Sequence, residues 1–277
     1  MQHARDSGVR IDYSINDQAN GYPTRTVQAA ATDDEIAGLV QSGYLLRRKL
    51  IEPELAQIFA DAVRRISEAE IKDPTAEYMP EENIYIRSLL EKDPVFHPLL
   101  RLEPALSVAR SVLGPQVWVD LDARMNFPGR EGVAVPWHIH MPVVPSPLPS
   151  FFCYPHQIHC LIYLDRVTEL EGALCVLPGS HAASNLKIPL GDRSERDGQV
   201  QFFFEQGDAI LIHGNLWHRT SPSKPSAGFR RLLLLGYVPS WIKGDTGRGV
   251  KTVHQLTADM ARGADNELRE LLGEFEW

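Results

Sequence analysis

Two textures of apolar and polar positions follow one another along the chain. Up to about residue 115 the apolar positions recur at helical spacing, and from Val117 onward they alternate in short runs split by Gly and Pro. In the first part, Thr32-Asp33-Asp34-Glu35 has the spacing of a capping box, with the Thr accepting from a first-turn amide and the Glu reaching back. It predicts a short helix ending near Gly43, followed by a strand at Tyr44-Leu45-Leu46. Pro53 predicts a helix through about Ala69, with Leu55, Ile58, Phe59, Ala62, Val63 and Ile66 on one face. Another short helix is expected from Glu103 to Leu113, stopped by Gly114-Pro115.

The second part opens on Val117 to Asn126, where Val117, Val119, Leu121, Ala123 and Met125 share one side. Further strands are expected at Val133 to Met141, Ile158 to Leu164, Ala173 to Leu177, Gln199 to Phe204, Ala209 to His213 and Arg230 to Val238, with a turn at Pro178-Gly179-Ser180-His181. A helix from about Ala258 to Phe275 closes the chain. Helices first and then about eight strands point to an α+β protein whose core is a jelly roll, two sheets closing over a central site. Residues 1–30 are polar and read as a poorly ordered arm or an extended lead-in. The rest, 31–277, reads as one domain: helical support over 31–115, a jelly-roll core over 116–240 and a C-terminal helix within 256–276.

Composition narrows the function classes. With 43% hydrophobic and 23% charged residues, the 277-residue chain can build a sizeable core. A net charge of -8 and the lack of any basic run argue against nucleic acid as a partner. Met1 to Asn20 has no apolar signal core and no stretch approaches the length of a membrane span, so no membrane partner is expected. Cys153, Cys160 and Cys175 are an odd number without a Cys-x-x-Cys spacing, which fits a reducing cytoplasm. Oligomeric state leaves no mark in the sequence.

The chemistry gathers at Trp137-His138-Ile139-His140 and, roughly eighty residues later, Trp217-His218 and Arg230. On a strand, His138 and His140 project to the same side, and a third imidazole from a neighbouring strand would complete three corners of a coordination sphere. Neutral imidazole suits Fe(II) and equally Zn, Ni and Cu, so ligand type does not name the metal. The competing reading makes these hydrogen-bonded structural histidines, as expected for His156, His181 and His213. The segment Pro142 to Pro155 holds five prolines with Phe151, Phe152 and Tyr154; it reads either as a rigid surface crossing or as a lid or substrate wall. Tyr85 and Arg87 share a strand face, as an exposed edge or as part of a substrate pocket.

Several segments together resemble the phytanoyl-CoA dioxygenase family of Fe(II)/2-oxoglutarate oxygenases. They are Met125-Asn126-Phe127-Pro128-Gly129 before Trp137-His138, Tyr163-Leu164-Asp165 with Glu171-Gly172-Ala173-Leu174, Leu177-Pro178-Gly179-Ser180-His181, Gly207-Asp208 leading to His218, and Gly228-Phe229-Arg230. The resemblance runs from about residue 37 to 240 and implies a double-stranded β-helix, the cupin-like jelly roll. It implies that His138 and His218 are iron ligands, that Arg230 pairs with the distal carboxylate of 2-oxoglutarate, that Thr220 contacts the same carboxylate, and that Asn126 helps hold the cosubstrate. Arg231 is the alternative clamp, since only one of two neighbouring strand residues points inward. His140 stands where the family normally carries Asp, either as a third ligand or as a neighbour of the metal.

Three functions follow as expectations. The first is an Fe(II)/2-oxoglutarate-dependent dioxygenase that hydroxylates or otherwise oxidises a small organic molecule with O₂, through an unusual three-His site. The second is a three-His metal dioxygenase that does not use 2-oxoglutarate, which would leave Arg230 and Thr220 without a purpose. The third is a non-catalytic binding protein on the oxygenase scaffold. The sequence does not name the substrate or the reaction outcome.

Overall fold

The computed structural model of the protein describes residues 8–14, 24–72, 83–140, 155–183, 186–242 and 255–274. Strands β1 (Val9–Ser14) and β2 (Thr24–Ala29) pair antiparallel, so the N-terminal segment read as an arm or lead-in contains paired structure. The Tyr13 hydroxyl ties β1 to the rest of the molecule by donating to the carbonyls of Arg110 and Ser111. Helix α1 (Asp33–Ser42) begins at the predicted capping box: Thr32 accepts from the Glu35 amide while Glu35 accepts from the Thr32 N–H. It ends at Gly43, whose φ of 85° suits a residue without a side chain.

Helix α2 (Pro53–Glu70) buries Phe59, Ala62, Val63 and Ile66 as predicted, together with Ala56 and Ala60. Leu55 and Ile58, assigned to the same face, stay outside at 39% and 52% exposure. Their positions flank the buried stripe, which is too narrow to take them in. Helix α3 (Ala105–Leu113) ends at Gly114, as expected.

Apart from the β1–β2 pair, the strands form two facing sheets. The larger is antiparallel, in the order β3 (Tyr44–Arg47), β9 (Ala209–His213), β6 (Ile158–Tyr163), β11 (Arg230–Pro239), β5 (Val117–Asn126) and β4 (Ile84–Ile86). The smaller runs β10 (His218–Thr220), β7 (Leu174–Val176) and β8 (Val200–Phe202). One face of the larger sheet, with Leu121, Ala123, Leu233 and Leu235, packs with Phe59, Val63, Leu106 and Val108 of the helices. Its other face brings Leu161, Tyr163, Ile210, Leu232 and Leu234 against Leu174, Val176 and Phe204. Strand β11 is buried at all ten positions because it is covered on both sides, which explains its continuous apolar run. The architecture is the expected α+β jelly roll.

Two elements depart from expectation. Val133 to Met141 forms no continuous strand; among its described residues only the His138–His218 bridge is regular. Val133, Val135 and His138 each bond to the chain around β10, but Pro136 has no N–H to give, and His140 N leaves for the Gly214 carbonyl at 2.7 Å. The single C-terminal helix is instead two, α4 (Gln255–Ala261) and α5 (Asn266–Leu271). Gly263 falls at the break, and Asp265 restarts the helix by accepting from the Leu268 amide. Residues 142–154, read as a crossing or a lid, lie outside the described residues.

Candidate metal centre

The bridge between His138 and His218 is reciprocal: each N–H donates to the other's carbonyl, at 2.9 and 3.1 Å. It sets two imidazoles from different segments side by side, ring centroids 4.1 Å apart. The His140 ring, two residues along, stands 4.6 Å from His218 and 5.4 Å from His138. One ring nitrogen from each of the three lies within 4.8 Å of the others, an arrangement able to hold a metal ion.

Hydrogen bonds decide which nitrogens are available. Nδ1 of His138 contacts the Pro136 carbonyl at 2.9 Å and Nδ1 of His218 the Leu216 carbonyl at 2.8 Å. A carbonyl only accepts, so each Nδ1 carries the proton and each Nε2 keeps its lone pair, the usual way a protein orients a ligating histidine. His140 differs: its Nδ1 is buried without a partner among the described residues. Burial, then the neighbouring imidazoles and the Arg124 guanidinium, push His138 and His140 well below the ordinary histidine range; burial takes His218 to about 4. All three are therefore neutral near pH 7, the form a metal requires. The donor set fits a divalent transition ion.

The other predicted residues lie on β11, β5 and β10. Arg230 lies directly opposite Asn126 across β11 and β5, and cross-strand partners share a face. Arg230 is 2% exposed and donates through Nη1 to the carbonyls of Gly172 and Glu171. Among the described residues its Nε has no hydrogen-bond partner and no carboxylate forms a salt bridge with it. Burial lowers its pKa to about 10, still cationic at neutral pH. Both side-chain heteroatoms of Asn126 are likewise buried and without a hydrogen-bond partner among the described residues. Thr220 Oγ1 accepts from the Val135 amide at 2.8 Å, which leaves its O–H to donate. Arg231, the alternative clamp, is committed elsewhere: it forms a bidentate pair with Asp165 and donates to the Ala60 carbonyl on the helical side. Glu171 is held by Thr168 and the Gly228 amide.

Arg124 was not singled out in the sequence, yet it depresses the titration of every histidine at the centre. The signal was present, because the even positions of Val117 to Asn126 place Asp120, Asp122, Arg124 and Asn126 on one face. Arg124 donates to Asn83 at 2.8 Å and lies over the Tyr85 ring, 4.7 Å from its centroid. Tyr85, read as an exposed edge or as part of a substrate pocket, packs on the interior cluster and donates its hydroxyl to Asp122.

With this geometry in view, the profile of the family described as phytanoyl-CoA dioxygenase (PhyH) matches residues 39–232. The chain belongs to the phytanoyl-CoA dioxygenase family. The family uses Fe(II) and 2-oxoglutarate. Among relatives of this phytanoyl-CoA dioxygenase-family chain, a protein named dioxygenase af480 from Aspergillus fumigatus is 30% identical over 157 residues, covering 56% of this chain and 48% of that protein. The chain thus spans under half the length of that relative. An ectoine dioxygenase from Nocardia farcinica is 24% identical over 251 residues, covering 75% of this chain and 83% of that protein. Among solved structures, HygX from Streptomyces hygroscopicus with nickel, 2-oxoglutarate and hygromycin B bound superposes with a TM-score of 0.61 at 16% identity, over 80% of this chain and 96% of that one. SnoN, an α-ketoglutarate-dependent epimerase from nogalamycin biosynthesis, gives a TM-score of 0.59 at 14% identity, covering 80% and 90%. These structural likenesses establish the shared fold. No helix among the described residues is long and apolar enough to cross a membrane.

Proposed function

We propose that the protein is an Fe(II)/2-oxoglutarate-dependent oxygenase that oxidises a small organic molecule at a three-histidine centre. His138, His140 and His218 would hold the metal, and Arg230, with Asn126 and Thr220, would hold the distal carboxylate of the cosubstrate. The observation that carries this reading is the presence, in one interior, of the imidazole cluster and a buried guanidinium that has no carboxylate salt bridge among the described residues. A second carboxylate-binding pole has no use in a simple metal store. A planar, permanently charged fork suits a carboxylate end-on, and the unpartnered Asn126 amide beside it can add donors.

When bound, the iron and the oxoacid supply the oxidising power: O₂ and 2-oxoglutarate give succinate and CO₂ while the substrate gains an oxygen atom or loses hydrogen. The chain's own residues do the rest. Carbonyl-anchored His138 and His218 fix the ligand face. Arg230 and Asn126 set the direction in which the oxoacid lies. Leu232, Leu234 and Val176 line the interior and keep water from it. The HygX structure with hygromycin B bound and the ectoine dioxygenase relatives support a small-molecule substrate here as well.

With an imidazole at 140 in place of a carboxylate, the ligand set carries one negative charge fewer, and the complex with dianionic oxoacid is about neutral. Anaerobic addition of Fe(II) and then 2-oxoglutarate to metal-free protein tests the reading. The expected result is a visible iron-to-oxoacid charge-transfer band that His138→Ala abolishes. Iron bound without such a band would overturn it in favour of chemistry that does not use the oxoacid. No iron bound would leave a binding protein.

A further inference from the structure

We propose that His159 is the positioning residue for His140: it holds that imidazole toward the metal and links it to the carboxylate of Asp120. The link would return, from outside the ligand set, part of the negative charge that position 140 itself lacks. The inference rests on the three-histidine centre proposed above.

The starting point is an asymmetry among the three rings. His138 and His218 each have Nδ1 fixed by a backbone carbonyl, and His140 has no such anchor among the described residues. A ligating imidazole whose second nitrogen is loose is poorly oriented and a weaker donor. Among the described residues the ring nearest His140 is that of His159 on β6, with centroids 4.1 Å apart and planes tilted by 44°. Both nitrogens of His159 are buried without a hydrogen-bond partner among the described residues. Two facing imidazoles with unpartnered nitrogens satisfy each other by a small ring rotation: Nδ1–H of His140 donates and a neutral His159 nitrogen accepts. That leaves the second nitrogen of His159 as a donor in need of an acceptor.

The backbone shows where that acceptor is. His159 and Asp120 are both cross-strand partners of Gly236, one on each side of β11. A Cβ at Gly236 would collide with Asp120 Oδ1 and come to 3.0 Å from His159 Nε2. The carboxylate and the imidazole therefore border the same small space, which exists only because residue 236 has no side chain. Glycine weakens the interior of a strand and often marks a close approach. Here it interrupts a strand buried at every position, between Leu235 and Tyr237. The order metal, His140, His159, Asp120 is the carboxylate–histidine–metal arrangement lengthened by one imidazole.

Co(II) is the probe, added to metal-free full-length protein, with its visible absorption reporting both affinity and ligand geometry. His159→Ala is expected to weaken Co(II) binding by about 10- to 100-fold, the usual cost of losing an outer partner of a ligand, and to change the spectrum. His159→Gln, whose amide can still accept from His140, should recover part of the affinity. On a His140→Asp background the carboxylate needs no such partner, so adding His159→Ala should have no further effect. Circular dichroism of each variant checks that it is folded. Native Co(II) affinity in His159→Ala, alongside loss in His138→Ala, would overturn this inference and leave the centre standing. Equal loss on both backgrounds would also overturn it, since His159 would then be merely structural. Co(II) binding indifferent to His138→Ala would overturn the centre itself, and the inference with it.

Discussion

A guanidinium at 2% exposure, bonded among the described residues only to carbonyl oxygens, is costly to bury unless an anion completes it. That cost is why Arg230 is the residue on which the cosubstrate reading is most easily tested. Arg230→Lys keeps the charge and loses the fork, so 2-oxoglutarate affinity should fall by about 1.5–3 kcal/mol, the range for hydrogen bonds to charged groups. Co(II) binding without the oxoacid should be unchanged, and isothermal titration measures both. An unaltered oxoacid affinity would remove Arg230 from the site. At this scale the sequence went far. The His-x-His pair and the distant Trp-His meet in the fold, where the three imidazoles cluster. The choice between Arg230 and Arg231 needed the partner residues, because alternation says that one points inward without saying which. Arg124 was missed for the same reason, since a polar face reads as solvent until the second sheet is seen to cover it.

Among the elements, β11 separates two jobs between adjacent arginines. Arg231 sits on the helical side, where it grips Asp165 with two hydrogen bonds and reaches α2 at the Ala60 carbonyl. The side chains of this pair are only 7% and 14% exposed, so removing one partner strands a buried charge. Arg231→Ala should therefore lose roughly 3–5 kcal/mol of stability by urea unfolding. Its 2-oxoglutarate affinity, measured where it is still folded, should match the native protein. Weaker oxoacid binding there would mean that the two faces of β11 are not independent. Elements with strong local signals were legible to the residue: α1 has a capping box and a terminal Gly, and β5 and β9 alternate or run apolar without interruption. The ligand-bearing segment was not, because Pro136 breaks its ladder and pairing survives only at separate points along β10. The C-terminal pattern was periodic enough to read as one helix, and Gly263 with the Asp265 cap divides it.

For the whole molecule, closing one sheet over another has enclosed many imidazoles in an interior that disfavours their charged form. Burial holds His138 and His140 well below the usual range, and takes His159 and His213 to about 3 and His218 to about 4. In the unfolded chain the same groups titrate near pH 6.5, at about the free value. Between that pH and about 4 the unfolded state binds protons that the folded state refuses, so acid favours unfolding. Stability from these groups is complete above their unfolded pKa and drains away as pH falls through the window. Each such histidine contributes a slope of up to about 1.4 kcal/mol per pH unit. The metal-free protein should hold a nearly constant urea midpoint from pH 8 to pH 7 and lose it steeply from pH 6.5 to pH 5. His213→Gln, which touches none of the three proposed ligands, should flatten that loss by removing one of the protons taken up. A midpoint that does not move between pH 7 and pH 5 would mean that the imidazoles titrate in the folded protein, and that the interior is far wetter than two packed sheets allow.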